Sequence, residues 1–104
     1  MLDDKGIIGI LWEQLHVHAL VSIVDSDGGR FHVNLIAGER FGARTLNPGG
    51  FPQYTNDKEE VHQEMAVRLK QAAHVEVRCI IDGDERVRTS SRNAEGSWGS
   101  FGWL

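Results

Sequence analysis

The chain of 104 residues has a single cysteine, Cys79, and an internal disulfide bond is therefore excluded. A lone thiol fits a reducing compartment, because stable disulfides belong mainly to oxidising ones. The first residues are acidic rather than basic, unlike a secretory signal peptide, and the sequence has no N-glycosylation sequon. These absences predict a cytoplasmic protein.

A hydrophobic run long enough to span a membrane is also missing. The longest apolar stretch, residues 6–24, is interrupted by Glu13, Gln14 and two histidines, whereas a transmembrane helix needs about 20 predominantly apolar residues. Strong charge of one sign is absent as well, since 11 basic and 15 acidic residues give a net charge of −4. This composition predicts no direct binding to nucleic acid or to a membrane.

The sequence contains none of the short motifs that announce common enzyme classes, such as a nucleophile elbow, a P-loop or H-E-x-x-H. Residues 25–29, DSDGG, begin like a calcium loop, but Ile36 occupies the position of its bidentate glutamate. Cys79 falls on the apolar face of a predicted strand, where cysteine is typically an inert core residue. We therefore expect no catalytic residue, no metal and no cofactor.

What the sequence does contain is a clear hairpin pattern. Residues 16–24 and 30–38 alternate between apolar and polar side chains, and the turn formers of residues 25–29 separate them. Pairing Val24 with Arg30 collects the apolar side chains on one face. The opposite face then carries His16, His18 and His32.

The main helix is predicted over residues 57–73. Asp57 is a suitable N-cap with Glu60 three residues later, which is a capping-box arrangement. Acidic residues lie near the start and basic residues near the end, as the helix dipole favours. The apolar positions follow helical spacing and form a stripe that can cover a sheet, namely Val61, Met65, Leu69 and Ala72.

A second hairpin is predicted from residues 74–81 and 85–92, joined by the segment DGD. Pairing Ile81 with Glu85 places Val87 and Thr89 on the apolar face of this hairpin. Over residues 74–92, four arginines are balanced by four acidic residues, so a solvated strand face is favoured over a phosphate-binding or RNA-binding one. The four arginines are Arg78, Arg86, Arg88 and Arg92.

Residues 6–13 are compatible with a helix or a strand. We favour a strand, because Gly6 and Gly9 would each destabilise a helix by about 1 kcal/mol relative to alanine. Residues 41–46 fit a further short strand. The predicted fold is α+β, with an antiparallel sheet of about four or five strands and one main helix packed on one face. Ferredoxin-like and half-barrel arrangements both accommodate this element order.

The histidines are weak candidates for metal binding. His16 and His18 lie two residues apart, about 6.5 Å along a strand, and point to the same face. His32 lies about 13 Å from His18, too far to share one ion, given Zn–N distances of about 2.1 Å. A metal-dependent enzyme using the face of His16, His18 and His32 is therefore only an alternative hypothesis.

Two segments carry the residue types that anchor protein interfaces. Residues 39–56 form a long, turn-rich loop with arginines and aromatic residues among glycines. Residues 1–93 are predicted to form one domain, and residues 94–104 a tail that docks on its own core, exchanges with a second copy or binds another protein. The candidate partner-binding residues are Arg40, Arg44, Phe51, Tyr54, Trp98, Phe101 and Trp103.

These observations predict a small, cytoplasmic, non-catalytic protein–protein interaction module. A narrower form is a stoichiometric inhibitor, for example a phage-encoded protein that blocks a host defence or nucleic-acid-binding complex, with its acidic side chains facing a basic channel. One alternative is a structural subunit of a homo-oligomer, such as a homodimer with exchanged tails. The metal-dependent enzyme is the other.

Overall fold

The computed structural model describes residues 2–17, 19–36, 40–45, 53–55, 57–99 and 101–103, with the backbone alone described at residues 36, 40, 43–45, 53–55, 102 and 103. The elements are α1 (Asp4–His16), β1 (Leu20–Asp25), β2 (Arg30–Ile36), β3 (Arg40–Thr45), β4 (Gln53–Thr55), α2 (Lys58–Leu69), β5 (Ala72–Ile81), β6 (Asp84–Ser91) and β7 (Gly102–Trp103).

In this part of the chain the strands form one antiparallel sheet, with the order β4-β3-β2-β1-β5-β6-β7. Five strands have six to ten residues, whereas β4 has three and β7 has two. The predicted α+β fold with an antiparallel sheet is confirmed. The chain runs from the β4 edge through α2 to β5, which lies on the far side of the central strand β1.

The sheet has one covered face and one open face. α1 and α2 pack on the same face, where their apolar side chains meet those of β1, β2, β3 and β5. This follows from the sequence, because these strands carry apolar residues at alternate positions and each helix has one apolar stripe. The largest fully buried side chains of the described residues include Trp98, Phe41, Ile7, Leu11, Leu15, Ile23, Met65 and Leu69.

The segment predicted as a strand at residues 6–13 is part of α1, and that prediction is wrong. Asp3 caps this helix, since its carboxylate accepts a hydrogen bond of 2.8 Å from the backbone N–H of Gly6. Four aliphatic side chains of α1 are buried, and each gains about 1.5–3 kcal/mol from burial. That gain exceeds the roughly 2 kcal/mol that Gly6 and Gly9 cost together. The buried side chains are Ile7, Ile8, Leu11 and Leu15.

α2 begins where the sequence predicts the main helix to begin. The Asp57 carboxylate accepts a hydrogen bond of 3.1 Å from the N–H of Glu60 and so caps the helix. The helix ends at Leu69 rather than at residue 73, because Ala72 already belongs to β5. Among the residues that the structure describes, no helix is long and apolar enough to cross a bilayer.

The first hairpin, β1–β2, has the predicted register, in which Val24 pairs with Arg30. β1 begins only at Leu20, because α1 extends to His16. His16 therefore lies on a helix, and the prediction that it occupies a strand face beside His18 is wrong. His18 itself lies outside the described residues.

The second hairpin, β5–β6, has a register shifted by one residue from the prediction, because Ile81 pairs with Asp84 and not with Glu85. The turn contains only Asp82 and Gly83, whose φ angles of 52° and 83° suit a two-residue type I′ turn. Neighbouring residues of a strand point to opposite faces, so this shift exchanges the two predicted faces of β6. The open face therefore carries Val87 and Thr89, and the helix-covered side carries Arg86 and Arg88.

The segment predicted as a loop at residues 39–56 contains two strands in its described part. β3 corresponds to the short strand predicted at residues 41–46 and pairs with β2 along its whole length. β4, which the sequence did not indicate, pairs with β3 and forms one edge of the sheet. Phe41 anchors β3, because its side chain is fully buried and its ring stacks on that of Trp12 at a centroid distance of 5.2 Å.

Candidate binding surface

The residues predicted to bind a partner lie at opposite edges of the sheet. Arg40 and Arg44 belong to β3 and Tyr54 to β4, near one edge, whereas Trp103 belongs to β7 at the other. β3 and β7 are five strands apart, which is about 24 Å at roughly 4.8 Å per strand. These residues therefore do not form one compact site. Phe51 lies outside the described residues.

Trp98 is fully buried in the core of its own chain. Its backbone forms two hydrogen bonds with that of Leu2, of 2.8 and 3.0 Å. Its indole N–H donates a hydrogen bond of 2.8 Å to Oδ1 of Asp4. Of the three outcomes predicted for the tail, the position of Trp98 corresponds to docking on its own core. Its side chain therefore presents no surface to a partner.

Arg92 connects Trp98 to the rest of the fold, a role that the sequence did not indicate. Its guanidinium lies over the Trp98 ring, 4.6 Å from the centroid, and 3.3 Å from the carboxylate of Asp4. One acceptor of Arg92 is in the last turn of α2, where backbone carbonyls have no partner within the helix. Arg92 therefore holds parts of the fold together, and the prediction that its side chain is solvated is wrong. Its backbone acceptors are the carbonyls of Leu69, Ala72 and Gly96.

The rest of the described tail runs along the edge of β6. Phe101 is half-buried, and the guanidinium of Arg88 lies over its ring at 5.5 Å from the centroid. Trp103 pairs with Arg88 through the backbone. The Ser90 hydroxyl donates a hydrogen bond of 2.6 Å to the carbonyl of Gly99. These contacts dock the described tail residues on their own sheet.

The histidines that the sequence offered as weak metal candidates do not come together. His16 lies on the helix-covered side, where its Nδ1 donates to the carbonyl of Trp12 at 2.9 Å. His32 lies on the open face, with its Nδ1 2.6 Å from Oγ of Ser22, so the sheet separates it from His16. Ser22 is buried and is not an accessible nucleophile. In the described part of the chain, no three His, Cys, Asp or Glu side chains are arranged to hold a metal.

An aromatic cluster closes the core where α1, α2 and β3 meet. The Trp12 ring, which stacks on Phe41, also contacts His16 at a centroid distance of 5.7 Å and His62 at 5.3 Å. Both histidines are exposed, whereas Phe41 is buried, so the cluster extends from the core to the surface. Because His62 comes from α2, this grouping depends on helix packing and could not be found from the spacing of histidines in the sequence.

The open face carries a charged network around Glu76. Nη1 of Arg30 donates a hydrogen bond of 3.0 Å to one oxygen of this carboxylate, and Nε2 of His74 lies 3.2 Å from the other. Burial raises the pKa of the Glu76 carboxyl, but the hydrogen bonds and charges of Arg30 and His74 outweigh it and hold the pKa below its ordinary value. The Glu76 side chain is only 15% exposed. The network is satisfied within the fold and stabilises the sheet.

Exposed aliphatic side chains lie at one end of the sheet. Ile80 is 70% exposed, Ile81 41% and Val17 64%. Val17 comes three residues before Leu20, which pairs with Arg78 of β5, and so it lies at the same end as the β5–β6 turn. Val67, 57% exposed, lies elsewhere, on α2.

We call residues 80–86 the hairpin tip. In the described residues, β5 pairs with β1 as far as Arg78, and β6 pairs with β7 only at Arg88 and Thr89. Within the described part of the chain, the hairpin tip therefore extends beyond the pairing of β5 with β1 and beyond the pairing of β6 with β7. Within it, neighbouring residues Ile80 and Ile81 point to opposite faces, so each face of the tip carries an exposed isoleucine.

Comparison of the chain with known protein families, with curated protein sequences and with solved structures finds no match. The function must therefore be inferred from the surfaces of the molecule. Trp98 and the charged network around Glu76 are used within the fold. Of the four large aliphatic side chains that are exposed in the described part of the chain, three lie at the hairpin tip and at Val17, and the fourth, Val67, lies alone on α2.

Proposed function

We propose that the protein is a small, cytoplasmic, non-catalytic protein–protein interaction module whose partner binds at the hairpin tip. The exposure of Ile80, Ile81 and Val17 at one end of the sheet carries this proposal. Burying an isoleucine in an interface gains about 1.5–3 kcal/mol, so a few such side chains can anchor a partner. A stoichiometric inhibitor is the narrower form of the proposal.

The alternative functions have weaker support. Exchange of tails between copies requires Trp98 to leave its core and to break its hydrogen bonds with Leu2 and Asp4. A metal-dependent enzyme that uses His16 and His32 requires them on one face, but the sheet lies between them. The hairpin tip needs no such rearrangement in order to contact another protein.

The proposal is tested by capturing a partner from a lysate of the source cells with the purified full chain and with two variants. Ile80→Thr removes the most exposed aliphatic side chain of the hairpin tip. Val67→Thr is the matched control, because Val67 is similarly exposed but lies on α2. We expect Ile80→Thr to reduce capture about tenfold or more, and Val67→Thr to leave it unchanged.

Circular dichroism and thermal unfolding of both variants verify that they are folded. Equal capture by Ile80→Thr and the unmodified chain contradicts the proposed site. Loss of capture by both variants to the same extent contradicts it too, since the effect would then not be specific to the hairpin tip.

A further inference from the structure

The hairpin tip carries carboxylates next to its isoleucines. Asp82 lies in the turn, and Asp84 and Glu85 follow it. Nη1 of Arg78 donates a hydrogen bond of 2.7 Å to Glu85 and neutralises that charge. Among the described residues, Asp82 and Asp84 form no ion pair, and both are exposed. Arg86 is the one basic residue within the tip itself.

The position of these groups is fixed by the turn. Asp82 and Gly83 have the positive φ angles of a two-residue hairpin turn, and the pairs Ile81–Asp84 and Ile80–Glu85 follow it directly. Isoleucine side chains on strands have few rotamers. A partner therefore meets an apolar and acidic surface that is already ordered, which reduces the entropy cost of binding.

Building on the proposed function, we infer that the partner is a protein with an apolar surface, such as one face of an amphipathic helix, bordered by lysine or arginine side chains. Ile80, the more exposed of the two isoleucines, packs on the apolar surface, and Asp82 and Asp84 contact its basic border. The apolar contact supplies affinity, and the complementary charges supply orientation and a faster association rate. The same carboxylates repel the phosphates of nucleic acids and the headgroups of anionic lipids, which disfavours both as occupants.

The test uses two matched probes, both 14-residue amphipathic helical peptides, one of leucine and lysine and the other of leucine and glutamate. Each is titrated into the 15N-labelled full chain at physiological salt, and the amide shifts are recorded by NMR. We expect the leucine–lysine peptide to shift amides of residues 80–86 and to bind about tenfold more tightly than the leucine–glutamate peptide. Raising the salt concentration should reduce this preference.

The double variant Asp82→Asn/Asp84→Asn should remove most of the preference for the lysine peptide. Asparagine tolerates the positive φ of residue 82, so the turn is kept. The control is Glu13→Gln/Glu95→Gln, which removes two exposed carboxylates from other elements and should keep the preference. If the control variant keeps the preference for the lysine peptide, the preference depends on the carboxylates of the hairpin tip and not on the net charge of the chain.

Equal affinity for the two peptides, shifts outside residues 80–86, or no binding of either peptide would overturn the inference about the partner's chemistry. These failures are distinct from failure of the proposed function, which the capture experiment with Ile80→Thr decides. A third result is that capture of a partner is lost with Ile80→Thr but retained at high salt and with the Asp82→Asn/Asp84→Asn variant. This result would support the proposed function and contradict the inference that the partner has a basic border.

Discussion

The segment of residues 93–99 and the hairpin tip both contain a turn but have opposite environments. Each contains a glycine with positive φ, Gly96 at 85° and Gly83 at 83°. The first contains one large apolar side chain, Trp98, and the second contains two, Ile80 and Ile81. Trp98 is nevertheless fully buried, whereas Ile80 is 70% exposed. Local composition therefore does not decide which of the two meets solvent.

The difference lies in what surrounds each backbone. Residue 98 bridges to residue 2 on one side and to residue 92 on the other, and Arg92 reaches across its indole ring. Among the described residues, the hairpin tip pairs only within the β5–β6 hairpin, where Arg86 pairs with Cys79. An apolar side chain is buried when distant parts of the chain supply neighbours on both sides, and is available for binding when they do not.

The largest effect is expected for Trp98→Ala, which should lower the free energy of unfolding by about 3–5 kcal/mol, because it leaves a cavity in the core. Ile80→Ala is the control and should change it by no more than about 0.5 kcal/mol, since that side chain is exposed. Urea unfolding of both variants measures the difference. Similar losses at the two positions would mean that the contrast between the regions does not exist.

Arg92→Ala should lower the free energy of unfolding by about 2–3 kcal/mol, because it removes charged hydrogen bonds to several backbone carbonyls. Arg92→Lys should not restore stability, since a single ammonium cannot reproduce the geometry of a guanidinium. Arg86→Ala, at the exposed hairpin tip, is the matched control and should have little effect. A stable Arg92→Ala variant would show that Trp98 docks without this side chain.

The substitutions Glu76→Gln and Glu85→Gln compare two carboxylates. That of Glu76 is mostly buried on the open face of the sheet, and that of Glu85 is exposed at the hairpin tip. We expect Glu76→Gln to cost about 1 kcal/mol at pH 7 and Glu85→Gln to cost less than about 0.5 kcal/mol. The pKa of Glu76 is lowered in the folded state, so its contribution is complete above its unfolded pKa, near 4.5. It is lost as the pH falls through the lower folded pKa.

Urea unfolding at several pH values checks this expectation. The stability difference between Glu76→Gln and the unmodified chain should decrease as the pH falls below 4.5 and disappear once the pH is below the folded pKa of Glu76. A difference that stays constant with pH would show that the loss arises from packing rather than from the ionised carboxylate.

An effect of the same size as that of Glu76→Gln, about 1 kcal/mol, is expected from each of Gly83→Ala and Gly96→Ala. A Cβ atom at either position would have no neighbour within 4 Å, so only the positive φ opposes the substitution. Thermal unfolding of the two variants should give similar shifts. A much larger loss at Gly96 would mean that the backbone near Arg92 depends on glycine in a further way.

Several local features of this fold were predictable from the sequence. The cap at Asp57, the buried face of α2 and the pairing of Val24 with Arg30 each depend on residues close together in the chain. The helix α1 was mispredicted because the cost of Gly6 and Gly9 is local and visible, whereas the burial that outweighs it comes from the sheet.

The candidate site depended on one local signal that the prediction overlooked and on contacts between distant residues. Asp82 and Gly83 carry the Asp-Gly signature of a two-residue type I′ turn, and the choice of this turn over a three-residue one decides which face of β6 meets solvent. The position of Trp98 depends on Arg92 and on Leu2, which is 96 residues distant in the chain. An interface prediction based on aromatic composition therefore selected Trp98, which is buried, and did not select Ile80, which is exposed.

Amide hydrogen exchange of the intact chain tests the contrast between these regions most directly. The N–H groups of Trp98 and Leu2, which are hydrogen bonded to each other's carbonyls, should exchange only through near-global unfolding. The amides of Asp82 and Gly83 should exchange orders of magnitude faster. If the Trp98 amide exchanges as rapidly as that of Gly83, the tail is not docked, and the assignment of the hairpin tip as the free binding surface loses its basis.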